Sequence, residues 1–196
     1  AIIPGLLKRW YEERQEMQRK MRECGDNEIE REYWDKRQLV KKINLNSLYG
    51  AILNPGCRFF DIRIGQSVTL TGRCITKHMG AKVNEIVAGK YDHKGESVVY
   101  GDTDSVYFSA YKTLEKEIKE GLIPWTKDSV LGLYDKIAEE VNGSFKSYMT
   151  KAFHCPTTRG EVIAAGRELV ASKGLFITKK RYAVLYYDVE GKRTDV

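Results

Sequence analysis

The chain lacks any apolar run long enough to span a bilayer, and no secretory leader is expected. A membrane-spanning helix is therefore not expected. Cysteine is scarce: Cys24, Cys57, Cys74 and Cys155 make up the whole set, and no two stand at CxxC spacing. Neither a zinc site nor a disulfide framework is indicated, and reduced thiols in a cytosolic setting are the expectation. His154 beside Cys155 has no second ligand pair nearby and reads as a helix end rather than a metal site. Internal repeats and low-complexity linkers are also absent. What is present is a chain of 196 residues, 42% hydrophobic, with a net charge of +6. Such a chain can bury a core, and its basic balance suits a polyanionic partner.

Residues 98–109, VVYGDTDSVYFS, are two β-branched and aromatic runs joined by Gly-Asp-Thr-Asp. The pattern predicts a β-hairpin over 97–109 with Asp102 and Asp104 at its tip, between strands apolar enough to be buried. Two carboxylates held that close repel each other, a cost that divalent cations remove. Mg²⁺ takes carboxylate oxygens while leaving positions open for substrate phosphates. An isolated Asp-Gly-rich turn is more often only a turn, so the reading depends on its neighbours.

The neighbour is KRQLVKKINLNSLYG at 36–50. From Glu28 the sequence suits a helix with Ile29, Tyr33, Leu39, Ile43 and Leu48 as its apolar stripe. Lys42 and Asn46 stand at i, i+4 and share a face, where a cation and an amide can hold polyphosphate. Tyr49 on the adjoining face offers a flat ring for stacking, and Gly50 admits a close neighbour.

The remaining pattern predicts an α+β chain. Residues 1–50 read as a helical hairpin turning at 24–27, with Leu6, Leu7, Trp10, Met17 and Met21 as the first helix's stripe. Asn54, Pro55 and Gly56 mark a break. A helix over 66–88 carries Ile75, Met79, Val83 and Val87, with Ile86 adjacent. A short charged helix over 112–120 and a longer one over 127–150 follow, the latter striped by Val130, Tyr134, Ile137, Val141 and Phe145. Strands are expected at 160–172 and 175–188.

Lys-x-x-x-Asn-Ser-Leu-Tyr-Gly followed downstream by Tyr-Gly-Asp-Thr-Asp-Ser resembles a family B DNA polymerase, most of all the replicative polymerases of T-even-type bacteriophages. IIPGLLKRWYEERQ, FFDIRIGQSVTLTG and KKRYAVLYYDVEGKR extend the resemblance over nearly the whole chain. It implies a fingers helical hairpin at 1–50 and a partial palm, an antiparallel sheet with packed helices, at 51–196. It implies nucleotidyl transfer from a dNTP to a primer 3′-OH with two Mg²⁺ ions. Asp104 is then the metal-binding aspartate and Asp102 a supporting carboxylate. Lys42, Asn46 and Arg14 meet the triphosphate, and Tyr49, with Gly50, abuts the nascent base pair. Lys179, Lys180, Arg181 and Tyr182 contact primer–template DNA. The location implied is the cytoplasm, that of the host cell if the protein is phage-encoded.

Three departures qualify the resemblance. Gln18 stands where a second fingers cation would follow Arg14, with Lys20 nearby on another face. Before the last strands only Glu161, beside Arg159 and Gly160, remains as an acidic candidate. The D-x-x-S-L-Y-P motif, which supplies another catalytic aspartate, does not occur, nor do exonuclease-like acidic motifs or a thumb. With Ala1 in place of an initiator Met, the expectation is a piece of a larger polymerase or one half of a split enzyme. Such a chain needs the remainder, an N-terminal exonuclease and palm part and a thumb, to act. The alternative is a catalytically silent nucleic-acid-binding module with the same fold. Inactivated relatives usually lose the second Asp or the fingers Lys, and both are kept here.

Overall fold

In the first helix, half-buried positions recur at Ile3, Leu7, Trp10, Arg14, Met17, Met21 and Cys24, a three-four alternation. That is the spacing of an antiparallel or parallel coiled-coil seam. The computed structural model, which describes residues 1–189 together with Lys192 and Arg193, forms α1 over Ile2–Glu23 and α2 over Glu28–Leu53. Three polar contacts stitch them together: Glu13 to Lys41 at 2.5 Å, Arg14 Nε to Gln38 Oε1 at 3.2 Å, and Lys20 Nζ 4.6 Å above the Trp34 ring. One residue number rises as its partner's falls, so the pair is antiparallel. Gly25 turns the chain at φ +54°. The Asn27 side chain caps α2 by accepting the Glu30 N–H at 3.2 Å.

The stripe expected on α2 is corrected. Ile29, Tyr33, Leu39 and Ile43 are exposed; of that stripe only Leu48 is half-buried, and Trp34, Gln38, Lys41 and Leu45 join it in place of the others. Polar side chains with long apolar stems occupy the interface, which leaves apolar ones outside.

Asn54 ends α2, and Asp61 opens α3, Ile62–Ala88, by accepting the Arg63 N–H at 2.9 Å. A Cβ at Gly65 would meet Leu53 Cδ2 at 2.0 Å, so only glycine lets α3 start this close to the end of α2. Residues 1–69 and 70–196 form two compact units. The boundary between these units falls inside α3.

In the second unit, Val83 of α3 packs with Ile137, Val141 and Phe145 of α5, Lys127–Phe153. Ile75, Met79, Ile86 and Val87 flank this core, so the stripe read from 66–88 is the packed face. Thr126 and Ser129 cap α5 reciprocally, and His154, left-handed at φ 50°, ends it. Between α3 and α5 come β1, Val98–Asp102, β2, Ser105–Phe108, and α4, Tyr111–Lys119. The last elements are α6, Thr157–Gly160, β3, Leu169–Thr178, β4, Arg181–Val189, and β5, Lys192–Arg193. β1 and β2 form one antiparallel hairpin; β3, β4 and β5 form an antiparallel sheet in that order. Mixed helix and antiparallel sheet make this an α+β chain. Among the described residues no helix is long and apolar enough to cross a membrane.

The strand expected at 160–172 begins only at Leu169. The Asn142 side chain on α5 takes the place of a neighbouring strand. Its amide donates to the Ala165 carbonyl at 2.7 Å and its oxygen accepts the Ala165 N–H at 2.8 Å. Arg167 then leaves that segment to pair with buried Asp188 of β4 and, at 2.5 Å, with Asp135.

His78 joins three segments. Its ring stacks on Tyr148 at 3.9 Å, with Nε2 2.9 Å from Ser144 Oγ and Nδ1 2.7 Å from the Tyr91 hydroxyl. Ser144 Oγ donates onward to the Val141 carbonyl, so it accepts from Nε2–H, and Tyr91 donates to Nδ1. This arrangement requires a neutral ring. Burial, helped by Lys82 and opposed by Glu85, lowers the His78 pKa from its ordinary value of 6.5. The unfolded chain takes up a proton near 6.5, whereas the folded one resists to lower pH. Stability is therefore full above that value and declines as pH falls below it. Urea unfolding across a pH series should show this decline, and His78→Gln should flatten it.

Candidate active site

Asp102 pairs with Ser105, which leaves Thr103 and Asp104 as a two-residue turn. Thr103 has φ 34°, a left-handed conformation that β-branched residues avoid. Its hydroxyl donates to Asp102 Oδ1 at 3.1 Å, and Ser105 Oγ donates to the Asp102 carbonyl at 3.2 Å. Thr76 Oγ1 on α3 donates to the Thr103 carbonyl at 2.9 Å. Sequence reasoning missed Thr76, because a contact spanning 27 residues leaves no local pattern.

The strands, expected to be apolar enough to be buried, are only half-covered. Asp102 is half-buried, Asp104 is exposed, and Val99 on β1 is 52% exposed. Two strands covered on one side do not enclose their turn. The Asp104 carboxylate has no hydrogen-bond or ion-pair partner among the described residues. It is thus free to take an external cation.

Four rings lie behind the tip. Tyr100 and Tyr107 of the hairpin meet Phe176 and Tyr182 of the β3–β4 pair, with centroids 5.3–5.8 Å apart. The Tyr107 and Tyr182 hydroxyls are 2.9 Å apart, and the Lys180 N–H donates to the Tyr100 hydroxyl at 2.8 Å. Burial, then the hydrogen bond with Tyr182, pushes the Tyr107 phenol well above its ordinary pKa, so it stays neutral. The structure therefore seats the Lys179–Tyr182 segment against Tyr100 and Tyr107 of the hairpin that carries the aspartate turn. Lys179, Lys180 and Arg181 are exposed, and their side chains have no acidic partner among the described residues.

On α2, Lys42 and Asn46 are exposed one turn apart, and Lys42 has no acidic partner among the described residues. Tyr49 is half-buried and donates to the Gly65 carbonyl at 3.4 Å, fixing its ring beside the α2–α3 junction. A side chain at Gly50 would meet open space, so no neighbour among the described residues requires its glycine. Arg14 is committed to Gln38 in the helix seam. Gln18 is half-buried, and Lys20 lies on Trp34. Glu161 pairs with Lys146 at 2.5 Å. Among the described residues no three acidic, histidine or cysteine side chains gather to hold a metal ion. In kind, the paired carboxylates fit Mg²⁺, which prefers oxygen donors; in number they are an incomplete set.

The family model for DNA polymerase family B matches residues 1–196. The chain is 34% identical over 168 residues to the DNA-directed DNA polymerase of Escherichia phage RB69, covering 80% of this chain and 18% of that protein. Its identity to the DNA-directed DNA polymerase of Enterobacteria phage T4 is 31% over 172 residues, covering 80% of this chain and 18% of that protein. DNA polymerase 1 of Pyrococcus abyssi (strain GE5 / Orsay) is 28% identical over 192 residues, which is 98% of this chain and 20% of that protein. The chain thus spans 18–20% of the length of these relatives.

Proposed function

Because the chain belongs to DNA polymerase family B, we propose that it forms the fingers and C-terminal palm portion of a DNA-directed DNA polymerase. It acts on primer–template DNA and dNTPs together with the remainder of the enzyme. The observation that carries this reading is the aromatic cluster of Tyr100, Tyr107, Phe176 and Tyr182. It couples an exposed, unpartnered carboxylate turn to an exposed cationic turn. One turn suits a divalent cation, and the other suits a phosphate backbone.

Each charged group then has a task. Asp104 holds metal and Asp102 supports it; Glu161, tied to Lys146, is left outside this pair. When bound, two Mg²⁺ ions supply charge stabilisation at the attacking and departing oxygens. Lys42 and Asn46 bind the triphosphate, where Lys42 offsets charge that grows on the leaving pyrophosphate. Arg14 joins them by giving up Gln38, an exchange of a neutral hydrogen bond for a charge-assisted one. Tyr49 presents its ring to the nascent base pair. Lys179, Lys180 and Arg181 hold the primer-terminal duplex through phosphates, and Tyr182 fixes their turn.

The donor set is completed by an aspartate outside this chain, so catalysis needs the remainder of the enzyme. A groove of about 650 Å³ shared by Asp104, Ile75, Met79 and Val83 offers that remainder an apolar seat beside the tip.

In the complete polymerase, Asp104→Asn should abolish primer extension, a loss of about 10³-fold or more, with the circular dichroism spectrum unchanged. Asp102→Asn should lose less. Extension by the Asp104 variant, or equal residual rates for both, overturns the assignment.

Lys42→Ala should lower single-turnover incorporation or raise the dNTP Kd by about 10–100-fold while leaving duplex affinity nearly unchanged. The opposite division of effects places Lys42 on the DNA track.

Lys180→Ala should weaken duplex binding across sequences and reduce the slope of log K against log salt by about one. An unchanged slope removes Lys180 from the phosphate contacts.

A further inference from the structure

In a two-residue hairpin turn, positive φ at the first residue alone sets the peptide plane between the two turn residues in one of two opposed orientations. Glycine normally fills that first position. Here it is Thr103, with φ 34°, whereas Asp104 has no positive φ. A β-branched residue stays in this conformation only where its surroundings over-determine it.

The peptide plane in question runs from the Thr103 carbonyl to the Asp104 nitrogen. Ser105 Oγ and Thr103 Oγ1 both bond to Asp102 and leave that carbonyl untouched. The bond to it comes from outside the hairpin, from Thr76 Oγ1 at 2.9 Å. The same hydroxyl lies 3.1 Å from the Gly72 carbonyl, one turn back on α3. Its single proton can serve either oxygen, and the shorter contact is the one to the tip. If the plane turned over, the carbonyl would leave Thr76, the hydroxyl would fall back on Gly72, and Asp104 would be re-aimed.

We infer that Thr76 is the positioning residue of the aspartate turn: its hydroxyl fixes the Thr103–Asp104 peptide and so aims the Asp104 carboxylate at the cation site. The inference rests on the reading of Asp104 as a metal ligand.

Thr76→Val keeps the side-chain shape and removes the donor; Thr76→Ser keeps the donor. In the complete polymerase, the valine variant should need about fivefold more Mg²⁺ for half-maximal single-nucleotide incorporation, with the rate at saturation about tenfold lower. The serine variant should stay within about twofold of the parent. The dNTP Kd should be unchanged, which a general loss of structure would not allow. Amide hydrogen exchange at Thr103–Ser105, measured without metal or DNA, should speed up in the valine variant and not in the serine one. Parent-like exchange and Mg²⁺ dependence in Thr76→Val, beside an inactive Asp104→Asn, overturns this inference alone. An active Asp104→Asn removes the premise, and the inference falls with it.

Discussion

A two-stranded hairpin is marginal in water by itself, so the place of Asp104 depends on what the hairpin leans on. Phe108 of β2 packs on the α3–α5 core and against the Tyr134 ring, and two further supports lie nearer the tip. The rings of Tyr100 and Tyr107 pack against Phe176 and Tyr182. From α3, Thr76 holds the turn by its carbonyl. The aromatic contact is worth about 0.5–1.5 kcal/mol per pair beyond its burial, and it is made by side chains of the hairpin and of the β3–β4 pair. Polar ends add direction to that packing. The Tyr107–Tyr182 hydroxyl contact and the Lys180 N–H bond to Tyr100 set which ring faces which, so the cationic turn cannot slide along the hairpin.

Charge is distributed to the same end. On α1 and α2 the exposed charges are mostly consumed locally, as in Lys8–Glu12, Arg19–Glu23 and Lys36–Glu32. Such pairs contribute little stability, but they neutralise the surface. The buried charge Asp188 is answered by Arg167. Asp104, Lys42, Lys179, Lys180 and Arg181 stand exposed without an acidic or basic partner among the described residues, as do Arg22, Arg31, Arg58 and Arg73. A solvated lone charge costs the fold almost nothing. An internal partner would instead compete with any ligand, so leaving these groups unpaired is what a binding surface requires.

The parts of this arrangement that were legible in the sequence are those whose signal is local. Alternating apolar residues around Gly-Asp-Thr-Asp gave away the hairpin. Ile75, Met79, Val83 and Val87 announced the face of α3 that packs on Ile137, Val141 and Phe145. The α1–α2 seam was hidden because Gln38 and Lys41 hold positions a hydrophobic pattern assigns to Leu. Residues 161–168 read as strand because their composition is strand-like, yet Asn142 of α5 satisfies the backbone that a ladder would have bonded. Glu161 was singled out by the family resemblance, and Lys146, fifteen residues earlier, pairs with it. Thr76 had no local sequence signal, since its contact with Thr103 is tertiary.

The left-handed residues divide along the same line. At Gly25, Gly89 and Gly121 the chain adopts positive φ with the residue that does so freely. His154 takes it at the end of α5, where a left-handed residue is the ordinary way to stop a helix. Thr103 and Lys180 are different, because each sits in a two-residue hairpin turn where glycine would remove the strain. Glycine would also remove a side chain. At one tip the hydroxyl of Thr103 steadies Asp102; at the other the ammonium of Lys180 faces solvent beside the hairpin. Strain of about 1–3 kcal/mol at such a position persists only where the surroundings hold it. Both tips have that hold in hydrogen bonds from outside their own strands, Thr76 to Thr103 and Lys180 to Tyr100. The two turns that keep a side chain at the expense of backbone ease belong to the two hairpins that the aromatic cluster joins.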